Sequence, residues 1–340
     1  MTQTVEQLAA GTTTRGPAVW TRGLTKNYGE VQAVRGIDFE VAAGEVFGFL
    51  GPNGAGKTTT ISMLCTLALP TSGEARVAGH DVVTERDDVR RNIGLVFQDP
   101  TLDGYLTAEE NLRFHADLYG VPRTDLRQRM REVLEMVGLW DRRESLVNTY
   151  SGGMRRRLEI GRGLLHSPRV LFLDEPTIGL DPQTRSSIWT YIQELKAREE
   201  TTIFLTTHYM DEAEYCDRIA IMDQGRIVAL DTPEALKASV GRDRVQIKTE
   251  DDETAIAALK ERFDVDAVIA EGEVTFSVAE GEQFVPRLFG ELGVPITGVS
   301  VARPSLDDVF MSYTGTTIRD AEATTTDHQR VMRSMMTGRR

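Results

Sequence analysis

The stretch GPNGAGKTT, Gly51 to Thr59, constrains this chain more than any other. It follows the apolar run GEVFGFL and precedes KTTTISMLCTLA, so a buried strand should lead straight into a glycine-rich loop and then a helix. The spacing G-x-x-x-x-G-K-[ST] falls on Gly51, Gly56, Lys57 and Thr58. Glycines allow a turn tight enough for successive backbone N–H groups to face phosphate oxygens, and the following helix adds its positive N-terminal end. Lys57 is then expected to reach the β and γ phosphates of ATP, and the Thr58 hydroxyl to ligate Mg²⁺. Asn53, Gly54 and Thr59 should meet phosphates through backbone or side chain.

An acidic partner lies in VLFLDE. Four apolar residues form a buried strand that presents Asp174 and Glu175 at its C-terminal end, where ligands bind in open α/β sheets. Asp174 is expected to hold Mg²⁺, through water, and Glu175 to polarise an attacking water.

Around these motifs the chain alternates strands and helices, which predicts an α/β fold with a mostly parallel sheet. Its 340 residues exceed one small domain. Ordered structure is expected from Pro17 to residue 240. Antiparallel strands open this region, and a helical insert covers about 99–165. Within the insert, TAEENLRFHADLYG opens with a capping box, Thr107 with Glu110. Residues 241–315 read as strand, helix, two strands, helix, strand, the order of a ferredoxin-like α+β domain. A flexible N-terminus, 1–16, and a disordered tail, 316–340, flank these domains. With a net charge of −13, nucleic acid is a poor partner. No apolar run reaches the roughly 18 residues that span a bilayer, and the N-terminus lacks a secretory signal pattern. Cys65 and Cys216 lack metal-ligand spacing and read as buried free thiols.

A second anion-binding device, Ser151-Gly152-Gly153, lies about a hundred residues beyond the first. Taken in order, the phosphate loop, YSGGM, LFLDEPT, GLDP and TTH resemble the nucleotide-binding subunits of ATP-binding cassette (ABC) transporters over roughly Val19 to Leu236. The resemblance implies a P-loop NTPase cassette with a RecA-like core, a β subdomain and a helical insert. It also implies a homodimer packed head to tail, in which Ser151, Gly152 and Gly153 of one copy grip the nucleotide of the other. Tyr28 matches the aromatic residue that stacks on adenine, and Gln98 the glutamine that senses Mg²⁺ and the γ-phosphate. Asp181 matches the loop that communicates across the dimer, and His208 the switch histidine. Where the family usually has Leu-Ser-Gly-Gly-Gln, this chain has Tyr150 and Met154, which removes an amide. The run Arg155-Arg156-Arg157 is expected to be a solvated helix face rather than a nucleotide contact.

YSGGMRRR, the extra C-terminal unit and PSLDDVF resemble the daunorubicin-type drug-resistance ATPases. That narrower resemblance implies an ATPase that powers export of a drug or lipid-like substrate through a separate permease of the ABC-2 type. The subunit would sit peripherally on the cytoplasmic face of the cell membrane. An import ATPase or a non-transport ABC ATPase is the alternative. Too few residues separate Lys57 from Asp174 for the long coiled coil of the DNA-repair types, and the translation types carry two cassettes in one chain.

Overall fold

A computed structural model describes residues 16–198, 201–270 and 272–315. The expected flexible N-terminus, apart from Gly16, and the expected tail lie outside the described residues. Two compact units are present: one runs to Asp217 and includes Met222–Ile227, the other comprises Arg218–Ile221 and the chain from Val228 onward.

In the first unit the chain runs β1 (Val19–Tyr28), β2 (Val31–Val41), β3 (Val46–Leu50), α1 (Lys57–Leu64), β4 (Ser72–Val77), β5 (His80–Asp81), α2 (Arg86–Asn92) and β6 (Ile93–Val96). It continues through α3 (Ala108–Tyr119), α4 (Arg123–Met136), α5 (Gly152–Leu164), β7 (Val170–Asp174), α6 (Pro182–Arg198), β8 (Thr202–Thr207) and α7 (Met210–Ala213). An antiparallel sheet in the order β2-β1-β4-β5 forms one layer. The central layer is parallel, β3-β8-β7-β6. Strands β3, β7 and β8 are buried at every position, as continuous apolar runs covered on both faces must be. Phe47, Phe49, Phe172 and Phe204 fill that core, with ring centroids 5.0 Å apart for Phe49–Phe204 and 5.3 Å for Phe172–Phe204.

Register decides what meets at the sheet's C-terminal edge. Leu50 pairs with Thr207 and Asp174 with Thr206. The glycine loop after β3, the acids ending β7 and the histidine after β8 therefore emerge side by side. The predicted capping box opens α3, with Thr107 accepting from the Glu110 amide and Glu110 accepting from the Thr107 amide. MDEAEYCD forms only the four-residue α7 before the chain turns into the next strand.

The chain then passes through β9 (Arg218–Asp223), β10 (Arg226–Asp231) and α8 (Pro233–Val240). Next come β11 (Asp243–Thr249), α9 (Asp252–Phe263), β12 (Ala267–Ala270), β13 (Glu273–Val278), α10 (Gly281–Glu291), β14 (Ile296–Ala302) and α11 (Leu306–Thr314). The sheet order β12-β13-β11-β14, fully antiparallel, is the ferredoxin-like arrangement. Val245, Ile247, Leu259, Phe276 and Leu288 form its core. PSLDDVF supplies a second capping box, Ser305 with Asp308, and α11 packs on α8.

Candidate nucleotide site

Sterics leave the loop after β3 no alternative to glycine at two positions. A Cβ on Gly51 would sit 2.1 Å from the Met222 carbonyl oxygen, and one on Gly56 2.5 Å from that of Ala33. Gly54 and Gly56 also hold φ of 85° and 108°, in the region that favours glycine. No side chain caps α1, and no acid stands in its first turn, so its leading N–H groups are left for an anion. Asn53 and Gly54 are exposed at the loop tip, and Thr59 is half-buried on α1.

Lys57 is buried. Its ammonium donates to the carbonyls of Gly51 at 2.6 Å and Pro52 at 3.1 Å, and lies 3.4 Å from Glu175 Oε1. The Thr58 hydroxyl donates to Asp174 Oδ1 at 3.2 Å, and Thr206 donates to the same oxygen at 2.5 Å. A hydroxyl paired with a carboxylate is an all-oxygen donor set, which suits a hard cation such as Mg²⁺. Burial pushes the Asp174 carboxyl above its ordinary range, although the two hydroxyls pull it down.

Glu175 shifts the other way. Burial would raise it, but the His208 hydrogen bond and the Lys57 charge outweigh burial and hold it below the ordinary range. His208 Nδ1 lies 3.0 Å from Glu175 Oε2. Glu175 also has φ of 46°, a left-handed backbone that a side-chain-bearing residue rarely adopts. The structure thus brings Lys57, Thr58, Asp174, Glu175 and His208 into one cluster.

Six other expected site residues stand apart from it. Gln98 is exposed just beyond β6, outside the hydrogen-bonded cluster around Asp174. Tyr28, 52% exposed at the end of β1, has the Lys26 ammonium 4.9 Å from its ring centroid. Ser151 is the N-cap of α5, its Oγ accepting from the Met154 amide at 3.2 Å. Asp181 caps α6, accepting from the Thr184 amide at 3.0 Å and the Thr184 hydroxyl at 2.6 Å. Among the described residues, no hydrogen bond joins Ser151, Gly152 or Gly153 to this chain's own Gly51–Thr59 loop.

The expectation of a solvated arginine run is overturned. Arg156 is only 6% exposed and meets five acceptors, because α5 turns this position inward against β6 and β7. Arg157 reaches back to the Val137 carbonyl at 3.0 Å. Sequence reasoning also missed Glu212. This buried carboxylate accepts from the hydroxyls of Thr207, at 2.7 Å, and Thr177, and lies 3.7 Å from the Arg185 guanidinium. It ties the exits of β7 and β8 together, four residues after His208.

A glycine loop on a helix N-terminus, a buried lysine and a hydroxyl–carboxylate pair at the ends of adjacent parallel strands define a P-loop nucleotide-hydrolysing cassette. Comparison with known proteins narrows this. The ABC transporter family profile matches residues 34–178, and that of the ATP-binding protein DrrA1-3-like C-terminal domain matches 232–314. The chain is 41% identical to the daunorubicin/doxorubicin resistance ATP-binding protein DrrA of Streptomyces peucetius, over 88% of this chain and 92% of that protein. It is 40% identical to the linearmycin resistance ATP-binding protein LnrL of Bacillus subtilis (strain 168), over 87% of this chain and 98% of the relative. Among solved structures, the dimeric post-hydrolysis state of the ATP-binding cassette MJ0796 bound to ADP and Pi is similar, with a TM-score of 0.57 and 28% identity, covering 63% of this chain and 98% of that one. The chain belongs to the ATPase subunits of ABC transporters, in the group that carries a DrrA-like C-terminal domain.

Proposed function

We propose that this chain hydrolyses ATP to drive export of a drug or lipid-like molecule through a separate permease of the ABC-2 type, on the cytoplasmic face of the membrane. The observation that carries this reading is the likeness to resistance ATP-binding proteins along nearly their whole length, C-terminal unit included. Among the described residues no helix is long and apolar enough to cross a membrane.

Each side chain then has a task. Lys57 exchanges its loop carbonyls for phosphate oxygens, and Thr58 and Asp174, with Gln98 brought in, hold Mg²⁺. The metal supplies charge neutralisation on the phosphates. Glu175, kept anionic by Lys57 and His208, orients the attacking water and accepts its proton. Tyr28 offers its exposed ring to adenine. Ser151, Gly152 and Gly153 serve the nucleotide of a second copy, with Asp181 in the loop facing across that homodimer. The exposed N-cap turn of Ser151 and Gly152 supports this arrangement.

A groove of about 740 Å³ between the segment after β6 and α3 is the surface we assign to the permease. Phe114 and Leu118, 63% and 66% exposed, line it with Leu67 and Phe97. Phe97 immediately precedes Gln98, so the docking wall and the metal-sensing residue share one segment. The test is copurification with the membrane protein encoded beside this gene, followed by ATP-dependent transport in vesicles. The export reading fails if the chain forms no membrane complex, or if substrate moves inward.

A further inference from the structure

Arg156 lies in α5, the helix capped by Ser151, and its side chain is buried. A guanidinium carries five N–H donors in a rigid fork, and here it has five acceptors. Nε donates to the Pro176 carbonyl at 2.6 Å. Nη2 donates to those of Asp174 at 3.1 Å and Glu175 at 3.2 Å. Nη1 donates to the Phe97 carbonyl at 2.6 Å and to Glu159 Oε2 at 3.2 Å. Three consecutive carbonyls, 174 to 176, thus converge on one side chain.

The middle carbonyl belongs to the residue whose backbone is strained. A φ of 46° at a non-glycine residue persists only where its surroundings over-determine it. The Glu175 amide donates to the Thr206 hydroxyl at 3.0 Å, and the Glu175 carbonyl also accepts from the Ile178 amide at 3.3 Å. Thr206 holds the residue's N-terminal side, and the Arg156 fork, with the longer Ile178 turn bond, its C-terminal side. If either hold is lost, the left-handed turn can relax toward ordinary φ, and the carboxylate swings away from Lys57 and His208.

We propose that Arg156 is a positioning residue for hydrolysis: its fork holds the 174–176 backbone in the left-handed turn that aims the Glu175 carboxylate. It does not touch substrate. The fork also grips Phe97, whose ring lines the groove, and Glu159 Oε1 accepts from the Thr101 amide at 2.7 Å, so the groove's edge is strapped to the same helix. The inference rests on the proposed role of Glu175 and is tested so that the two can fail separately.

The experiment measures kcat and KM for MgATP on the full-length chain, with Arg156→Gln and Arg156→Lys each made in the parent and in Glu175→Gln. Lysine keeps the buried charge but is a point donor that cannot span three carbonyls, and it serves if the glutamine variant fails to fold. In the parent, Arg156→Gln should lower kcat on the order of 10²-fold with KM unchanged, the signature of a misplaced group rather than of lost binding. Arg156→Lys should fall between. In Glu175→Gln the same substitutions should lower the residual rate no further, because they act through the group already removed. An equal fold-loss in both backgrounds, or a raised KM with kcat intact, overturns the proposal while leaving the role of Glu175 standing. Parental turnover by Glu175→Gln itself would overturn that role and the inference with it.

Discussion

His208 Nδ1 lies 3.0 Å from Glu175 Oε2, on the carboxylate oxygen opposite the one that faces the Lys57 ammonium at 3.4 Å. A buried carboxylate held between two cationic or donor groups stays ionised at neutral pH and fixed in direction. Glu175→Gln keeps the shape but removes the charge and the proton acceptor. It should bind ATP like the parent and turn over about 10²–10⁴-fold more slowly. Phosphate release and nucleotide retention, measured on the same preparation, check this.

The same geometry sets a pH dependence. Glu175 titrates below its ordinary 4.5, with burial opposed by the His208 hydrogen bond and the Lys57 charge. Its contribution to stability is therefore present above about pH 4.5 and lost as the pH falls through the lower folded-state value. Asp174, raised by burial above 3.8, acts in reverse: its ionised form costs stability at neutral pH and protonation relieves that cost. His208→Ala removes one of the two groups that favour the Glu175 anion. The acidic limb of the kcat–pH profile should move to higher pH, and an unshifted limb would mean that His208 does not tune this carboxylate.

Much of this site was legible because its chemistry is local in sequence. Gly51 through Thr58 form one uninterrupted motif, and Asp174-Glu175 follow a strand whose apolar run announces its burial. Arg156 and Glu212 escaped for a physical reason. Their partners are mostly backbone carbonyls and threonine hydroxyls far along the chain, and neither has a sequence signature. A partial signal existed, since Gly153, Arg156, Ile160 and Leu164 share one buried stripe of α5 at helical spacing. An arginine in such a stripe should be read as buried and paired. In the C-terminal unit the order of strands and helices was legible, because each element carries its own periodicity, whereas register arises only on pairing.

Ser151 has an observed role and a proposed one, and the two can be separated. As N-cap of α5 it satisfies the Met154 amide, and its loss typically costs about 1 kcal/mol. Ser151→Ala should lower urea stability by that amount and leave nucleotide binding to the isolated subunit intact. ATP-driven dimerisation, followed by sedimentation, should weaken beyond what the cap loss explains. An unchanged dimer fraction would leave Ser151 as a cap and nothing more.

Cys65 and Cys216 are buried free thiols, and burial raises both above the ordinary thiol range. A thiolate is the reactive form, so both should resist alkylation in the native protein and react fully on unfolding. Rapid labelling of the folded chain would show that one of these regions opens locally.

Gly153 stands where α5 meets the start of α6. A Cβ there would lie 2.3 Å from Thr184 Cγ2. The threonine cannot simply rotate away, because its hydroxyl donates to Asp181 Oδ2 and helps cap α6. Gly153→Ala should therefore destabilise by about 1–3 kcal/mol, the usual result of forcing a methyl into a packed contact. Thr184→Ser deletes the clashing methyl and keeps the hydroxyl. The double variant should regain the lost stability, since removing the Thr184 methyl removes the clash. Parental stability in Gly153→Ala alone would show that the α5–α6 contact is looser than 2.3 Å implies.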